Sequence, residues 1–210
     1  MNRFLLAVLA SSVVTPASAA LVDFGNRTLD TSTGLEWLDL TASSGRSASY
    51  VAGQFGSGGV FEGYRFATGA EVQAFFASAG VSLGTSEANF APSSVLLGLI
   101  GVTQSLVFSF GTYDAAFGYH VDPGLMPGRI SYSFVAATNY GATPDLGEAF
   151  YAFDGSPDTD ANAAFGSWLV RSSQVPEPAT GALAALALMA AAGAQQASAR
   201  RHGRYQLRRH

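Results

Sequence analysis

Two apolar stretches without a charge, residues 4–14 and 179–194, confine whatever folds in this 210-residue chain to the segment between them. The first follows Arg3 and leads to the small-residue triplet Ala17-Ser18-Ala19. That order of charge, apolar run and small residues marks a removable secretory signal over residues 1–19, with the cut expected before Ala20. A buried N-terminal helix is the alternative; the stretch is too short to span a bilayer. The second stretch rises roughly 24 Å as a helix, and extending it through Gln195 and Gln196 to Ala199 brings residues 179–199 to about 31 Å, close to a hydrocarbon core of about 30 Å. Small or apolar residues on every face of 181–194 disfavour a soluble C-terminal helix. Arg200, Arg201, Arg204, Arg208 and Arg209 follow with no carboxylate among them. The positive-inside preference holds this tail in the cytoplasm, whereas the signal carries the body across. Both ends therefore specify one topology, with residues 20–174 as an extracytoplasmic domain.

Charge and cysteine usage narrow what that domain does. Residues 20–174 hold five arginines against fourteen carboxylates, a formal charge of −9, which argues against nucleic acid as a partner. The chain has no cysteine, so disulfides, thiolate metal sites and cysteine nucleophiles are excluded. No cofactor is expected.

The body reads as short strands with two or three helices. Leu29, Leu35, Trp37 and Leu38 flank the turn-rich Asp30-Thr31-Ser32-Thr33-Gly34, a strand, turn, strand opening with the hairpin end near Thr33-Gly34. Residues 47–55 predict a short helix burying Tyr50, Val51 and Phe55 and ended by Gly56, Gly58 and Gly59. Thr68 with Glu71 three residues on predicts a capping box, followed by a stripe of Val72, Phe75, Phe76 and Ala79 and a stop at Gly80. Residues 93–102 fit a helix with Pro92 and Ser93 or Ser94 at its start, and Val95 to Val102 fit a buried strand equally. Beyond them the period becomes two: Leu106, Phe108 and Phe110, then Ile130, Tyr132 and Phe134, with further β-rich runs at 148–153 and 167–171. Helices early and strands late predict an α+β domain with helices against an antiparallel sheet; a β-sandwich is the alternative.

Catalytic chemistry finds few partners. His120 is the only histidine of the body, so a histidine-rich zinc site is impossible, and a Ser-His-Asp relay would have to use it alone. With Asp122 nearby it is expected at a loop edge. Glu36 and Asp39 are the obvious carboxylate pair for glycosidase work, but flanking Trp37 they are expected to face solvent or brace Arg65. No catalytic residue is assigned. Asp154, Asp158, Asp160 and Asn162 have the alternate-residue spacing of calcium ligands, yet counted from Asp158 the sixth and twelfth positions hold Ala163 and Leu169, so a solvated turn is preferred to a metal site. Tyr113, Tyr119 and Tyr140, if exposed, offer ring faces for sugars.

Two families are resembled. Val175-Pro176-Glu177-Pro178, an apolar helix and a terminal arginine cluster resemble the PEP-CTERM sorting signal of Gram-negative bacteria, the tag read by exosortase. Pro176 and Pro178 keep the backbone there extended and accessible, as a processing enzyme requires. The resemblance implies an inner-membrane intermediate, cleavage near the Pro-Glu-Pro triplet, and delivery to the cell surface or extracellular matrix, often alongside exopolysaccharide. In the body, Asp30-x-x-Thr33-Gly34-Leu35-x-Trp37, then Gly59-x-Phe61-x-Gly63-Tyr64-Arg65-x-Ala67-Thr68-x-x-Glu71, then residues 166–171, Gly-Ser-Trp-Leu-Val-Arg, look like the DUF1566 (Lcl C-terminal) domain, whose helix start is similar to that of C-type-lectin-like folds. This implies a compact α+β domain whose termini meet in one sheet. The expectation is an exported non-enzymatic surface or matrix protein whose partners are exosortase, the inner membrane before processing, and exopolysaccharide. A secreted enzyme acting on polysaccharide and a single-pass membrane protein whose tail is never cut are the alternatives.

Overall fold

The computed structural model describes residues 20–141 and 144–173. The expected signal peptide of 1–19 and the transmembrane helix of 179–199 lie outside the described residues, among which no helix is long and apolar enough to cross a membrane. In chain order the elements are β1 (Leu21–Asp23), β2 (Arg27–Asp30), β3 (Leu35–Leu38), α1 (Ala48–Ala52), β4 (Arg65–Phe66), α2 (Gly69–Ser78), β5 (Gly84–Ser86), α3 (Phe90–Ile100), β6 (Gln104–Phe108), β7 (Gly111–His120), β8 (Arg129–Asn139), β9 (Leu146–Pro157), β10 (Phe165–Ser167) and β11 (Leu169–Ser172). They form a mixed, sheet-rich domain with two sheets and few helices. One sheet, ordered β1-β2-β3-β11-β4, is wholly antiparallel; the other runs β10-β7-β8-β9-β5, with β6 also on β7, and only its β10–β7 pair is parallel. The last strand, β11, is seated between β3 and β4, so both ends of the body share one sheet.

Local chemistry explains the first turns. Asp30 is fully buried, and its Oδ1 accepts from the Ser32 amide at 2.9 Å and hydroxyl at 2.6 Å. Its Oδ2 accepts from Ser78 at 2.9 Å, which ties the β2–β3 hairpin to the end of α2. Thr68 and Glu71 make both halves of the capping box at the start of α2, satisfying two otherwise orphaned amides. Glu71 also receives Arg65 in a paired contact at 2.6 and 2.8 Å. Val72, Phe75 and Phe76 then bury one face.

The ambiguous segment is a helix. α3 begins at Phe90, earlier than Pro92, which sits in the first turn where a missing N–H costs no helical bond. Asn89 anchors that start through its side-chain amide, donating to the Ser82 carbonyl at 2.7 Å and accepting from the Ser82 amide at 3.0 Å. α1 is shorter than its pattern suggested, ending at Gly53. Tyr50 is exposed there, with the Arg46 guanidinium 4.8 Å from its ring; only Val51 of the expected face is fully buried.

The main core joins α2 and α3 to both sheets. Trp37 stacks on Phe75 at 4.2 Å, and Trp168 meets Trp37, Phe75 and Phe76 edge-on at 6.1, 6.5 and 5.6 Å. Trp168 is the single residue between β10 and β11, at the point where the chain leaves one sheet for the other. Its indole reaches this position because Gly118 and Gly166 have no side chain. A Cβ on Gly118 would lie 2.6 Å from both Leu40 Cδ2 and Trp168 Nε1, and one on Gly166 would strike the Leu40 carbonyl. A second core, of Val51, Phe61, Phe66, Tyr119, Ile130 and Leu169 among others, fills under α1 and the loop that follows it.

Candidate functional site

Alternation along β7 sends Ala116, Gly118 and His120 toward the main core and Tyr113, Ala115, Phe117 and Tyr119 to the opposite face. On that outer face a row of phenylalanines crosses four strands in register: Phe165 opposes Phe117, Phe117 opposes Phe134, and Phe134 opposes Phe150. Ring centroids lie 5.1, 4.9 and 5.7 Å apart with interplanar angles of 29°, 34° and 29°. Phe150 is 47% exposed, and the other three are half-buried. Tyr132 and Glu148 stand on the same face in the neighbouring rows, and Glu148 lies near enough to Tyr113 to raise that hydroxyl's pKa further beyond what burial does.

The tyrosines expected as sugar platforms fare differently. Tyr119 is buried in the second core, with Phe165 tilted against it at 5.1 Å, so it offers no free face. Tyr113 is half-buried, and Tyr140 is half-buried against Phe110 at 6.0 Å. The most open of the phenylalanines on this face is Phe150; Phe117, Phe134 and Phe165 are half-buried, with neighbouring rings against them as Tyr119 has. Three of the four share the local context of alanine before the ring, at Phe117, Phe150 and Phe165, but only the strand register aligns them.

His120 is not at a loop edge. It ends β7 with 0% exposure, its Nδ1 3.3 Å from Asp122 Oδ2 and its ring stacked 5.1 Å from Tyr151. Burial pushes its pKa down against the opposing pull of Asp122, so the imidazole is held neutral. Burial, then the hydrogen bond and charge of Asp122, pushes the Tyr151 hydroxyl up to about 12. Gly69 at the start of α2 makes room for the group, since a Cβ there would lie 2.5 Å from Asp122 Oδ1. A relay needs a histidine that a substrate reaches, and this one is sealed beneath the sheet.

The carboxylate pair is also redirected. Glu36 is buried rather than solvent-facing, and its Oε2 pairs with Arg171 at 2.7 Å and Arg27 at 3.2 Å. Arg65 is braced by Glu71 instead of Glu36 or Asp39. Asp39 is half-buried, its pKa raised by burial and by Asp23. In the oxygen-rich loop, Asn162 spends its Oδ1 on the Ala164 amide at 2.9 Å, Asp158 is half-buried and Asp160 exposed. Asp154 falls within β9, and its side chain lies outside the described residues. Among the described residues no three metal-ligating side chains converge.

Of the residues expected at the processing sites, Ala20 is the first described. Its carbonyl accepts from the Thr31 amide at 3.1 Å, and its amide donates to Thr31 Oγ1 at 3.0 Å. Ala17 and Ala19 lie outside the described residues, as do Val175, Pro176, Glu177, Pro178 and the five tail arginines. Residues 174–201 match the PEP-CTERM protein-sorting motif. The match contains the Pro-Glu-Pro triplet, Arg200 and Arg201, and stops short of Arg204, Arg208 and Arg209. It implies an exosortase-targeted extracellular protein, exported through a membrane-anchored sorting step to the cell surface of a Gram-negative bacterium. No curated protein and no solved structure matches the chain.

Proposed function

We propose that the body is a non-enzymatic glycan-binding module, carried by the sorting motif to the cell surface or the surrounding matrix, where it holds exopolysaccharide. The phenylalanine row carries this reading. Four rings on one rigid sheet line up as an apolar strip about 14 Å long, set by three strand spacings and exposed at Phe150, against which the apolar C–H faces of sugar rings pack. Tyr132 and Glu148 beside the strip provide hydroxyl and carboxylate partners for sugar hydroxyls. A body charge of −9 favours a neutral chain over an anionic one. The start of α2 resembles that of C-type-lectin-like folds, an analogy of fold that favours the same class of ligand.

Affinity electrophoresis of the full chain through gels containing neutral polysaccharide tests the proposal. Each stacked ring is worth about 1 kcal/mol, so the Phe134→Ala/Phe150→Ala variant is expected to bind about thirtyfold more weakly. Equal retardation of the two proteins, or no retardation of either, contradicts it.

A further inference from the structure

Sheet edges differ sharply in how they are protected. β1 has three residues and carries Asp23; β4 has two and carries Arg65; β5 has three, Gly-Thr-Ser, and leads into a helical turn; β10 has three. β6 has five residues, Gln-Ser-Leu-Val-Phe, with no charge, proline or glycine, and among the described residues it pairs with β7 alone. Alternate residues of such a strand direct N–H and C=O groups away from their partner. Its side chains are open as well: Val107 is 81% exposed, and Leu106, Phe108 and, in the turn, Phe110 are exposed. Among the described residues, none of the devices that blunt natural edges is present here.

We infer that β6 is a self-association edge, which pairs antiparallel with β6 of a second copy of this chain about a two-fold axis at Leu106. The strand is complementary to itself in this register, with Leu106 opposite its mate, Ser105 opposite Val107, and Gln104 opposite Phe108. Charge selects the same place. Each body carries −9, yet residues 88–113 contain no Asp, Glu, Lys or Arg, so two copies meet here without opposing charges in contact. The nearest carboxylate in the ladder is Asp114 on β7, opposite Ser105. Across the paired edges the two Asp114 positions stand three strands apart, roughly 14 Å, beyond a screening length of about 8 Å at physiological salt. A shared sorting signal also brings every copy to the same surface, which raises the local concentration of mates. An axis perpendicular to the sheet leaves both phenylalanine rows on one side of a continuous sheet, although the pairing stands without any glycan.

The test uses the full chain purified in detergent. Sedimentation should show a concentration-dependent dimer that Val107→Lys weakens at least tenfold; Val107 is exposed enough for the variant to fold. Because the chain has no cysteine, Leu106→Cys introduces one thiol that opposes its mate only in the stated register. Mild oxidation should cross-link it, and should leave Val95→Cys, exposed on α3, uncross-linked. A monomer at every concentration, a dimer insensitive to Val107→Lys, or cross-linking of Val95→Cys in preference to Leu106→Cys overturns the proposal.

Discussion

Glu71 and His120 make the body sensitive to acid in two separate windows. The Glu71 carboxyl is lowered to about 2, first by the hydrogen bond from Arg65 and then by those from Thr68. A carboxylate lowered in the folded state adds stability that is complete above its unfolded pKa near 4.5 and is lost as pH falls from there toward 2. Glu71→Gln should flatten denaturation midpoints over that window, and an unchanged slope would contradict the assignment. His120 is the opposite type of group, a base kept neutral. The unfolded chain takes up a proton near pH 6.5 that the folded one refuses, so stability is complete above 6.5 and declines as pH falls below it. Urea midpoints measured at pH 7.5 and 5.5 should differ in that direction; equal midpoints would mean that the buried imidazole accepts its proton in place. At the same helix start, Thr68→Ala removes one half of the capping box and should cost about 1 kcal/mol by chemical denaturation.

At the scale of elements, the crossover at Trp168 depends on missing side chains. Gly166→Ala places a methyl group against the Leu40 carbonyl, a backbone atom that cannot rotate away, and should destabilise by about 1–3 kcal/mol in thermal melts. Gly56→Ala meets nothing within 4 Å and should be close to neutral. These residues also show why parts of the fold were legible and others were not. α2 was readable because its cap, stripe and stop are all local. The β2–β3 hairpin was readable because Asp30 and Gly34 shape the turn within five residues. β7, the strand through the centre of the larger sheet, has no such local signature: Ala115, Ala116 and Gly118 replace the large apolar residues that make a period of two visible. Gly118 has no side chain because Leu40 and Trp168 fill the space above it. The break within residues 167–171 was hidden for a similar reason, since both halves are β-rich and only the tertiary position of Trp168 divides them.

Across the whole molecule, the C-terminal sorting signal was legible and the body's chemistry was not. A sorting signal is read from unfolded or membrane-inserted sequence, so its order of proline, apolar run and arginine is complete in one dimension. The phenylalanine row exists only after Phe117, Phe134, Phe150 and Phe165 are brought into register across strands spanning 49 positions of chain. The same holds for Glu36, whose partner Arg171 lies 135 residues away. The destination of the protein is written in the sorting motif, and it is checked at the C-terminus. Mass spectrometry of the protein from cells with and without the sorting enzyme should find the peptide of residues 200–210 absent from the mature form and retained when the enzyme is missing. Retention of that peptide at full length in both would contradict processing.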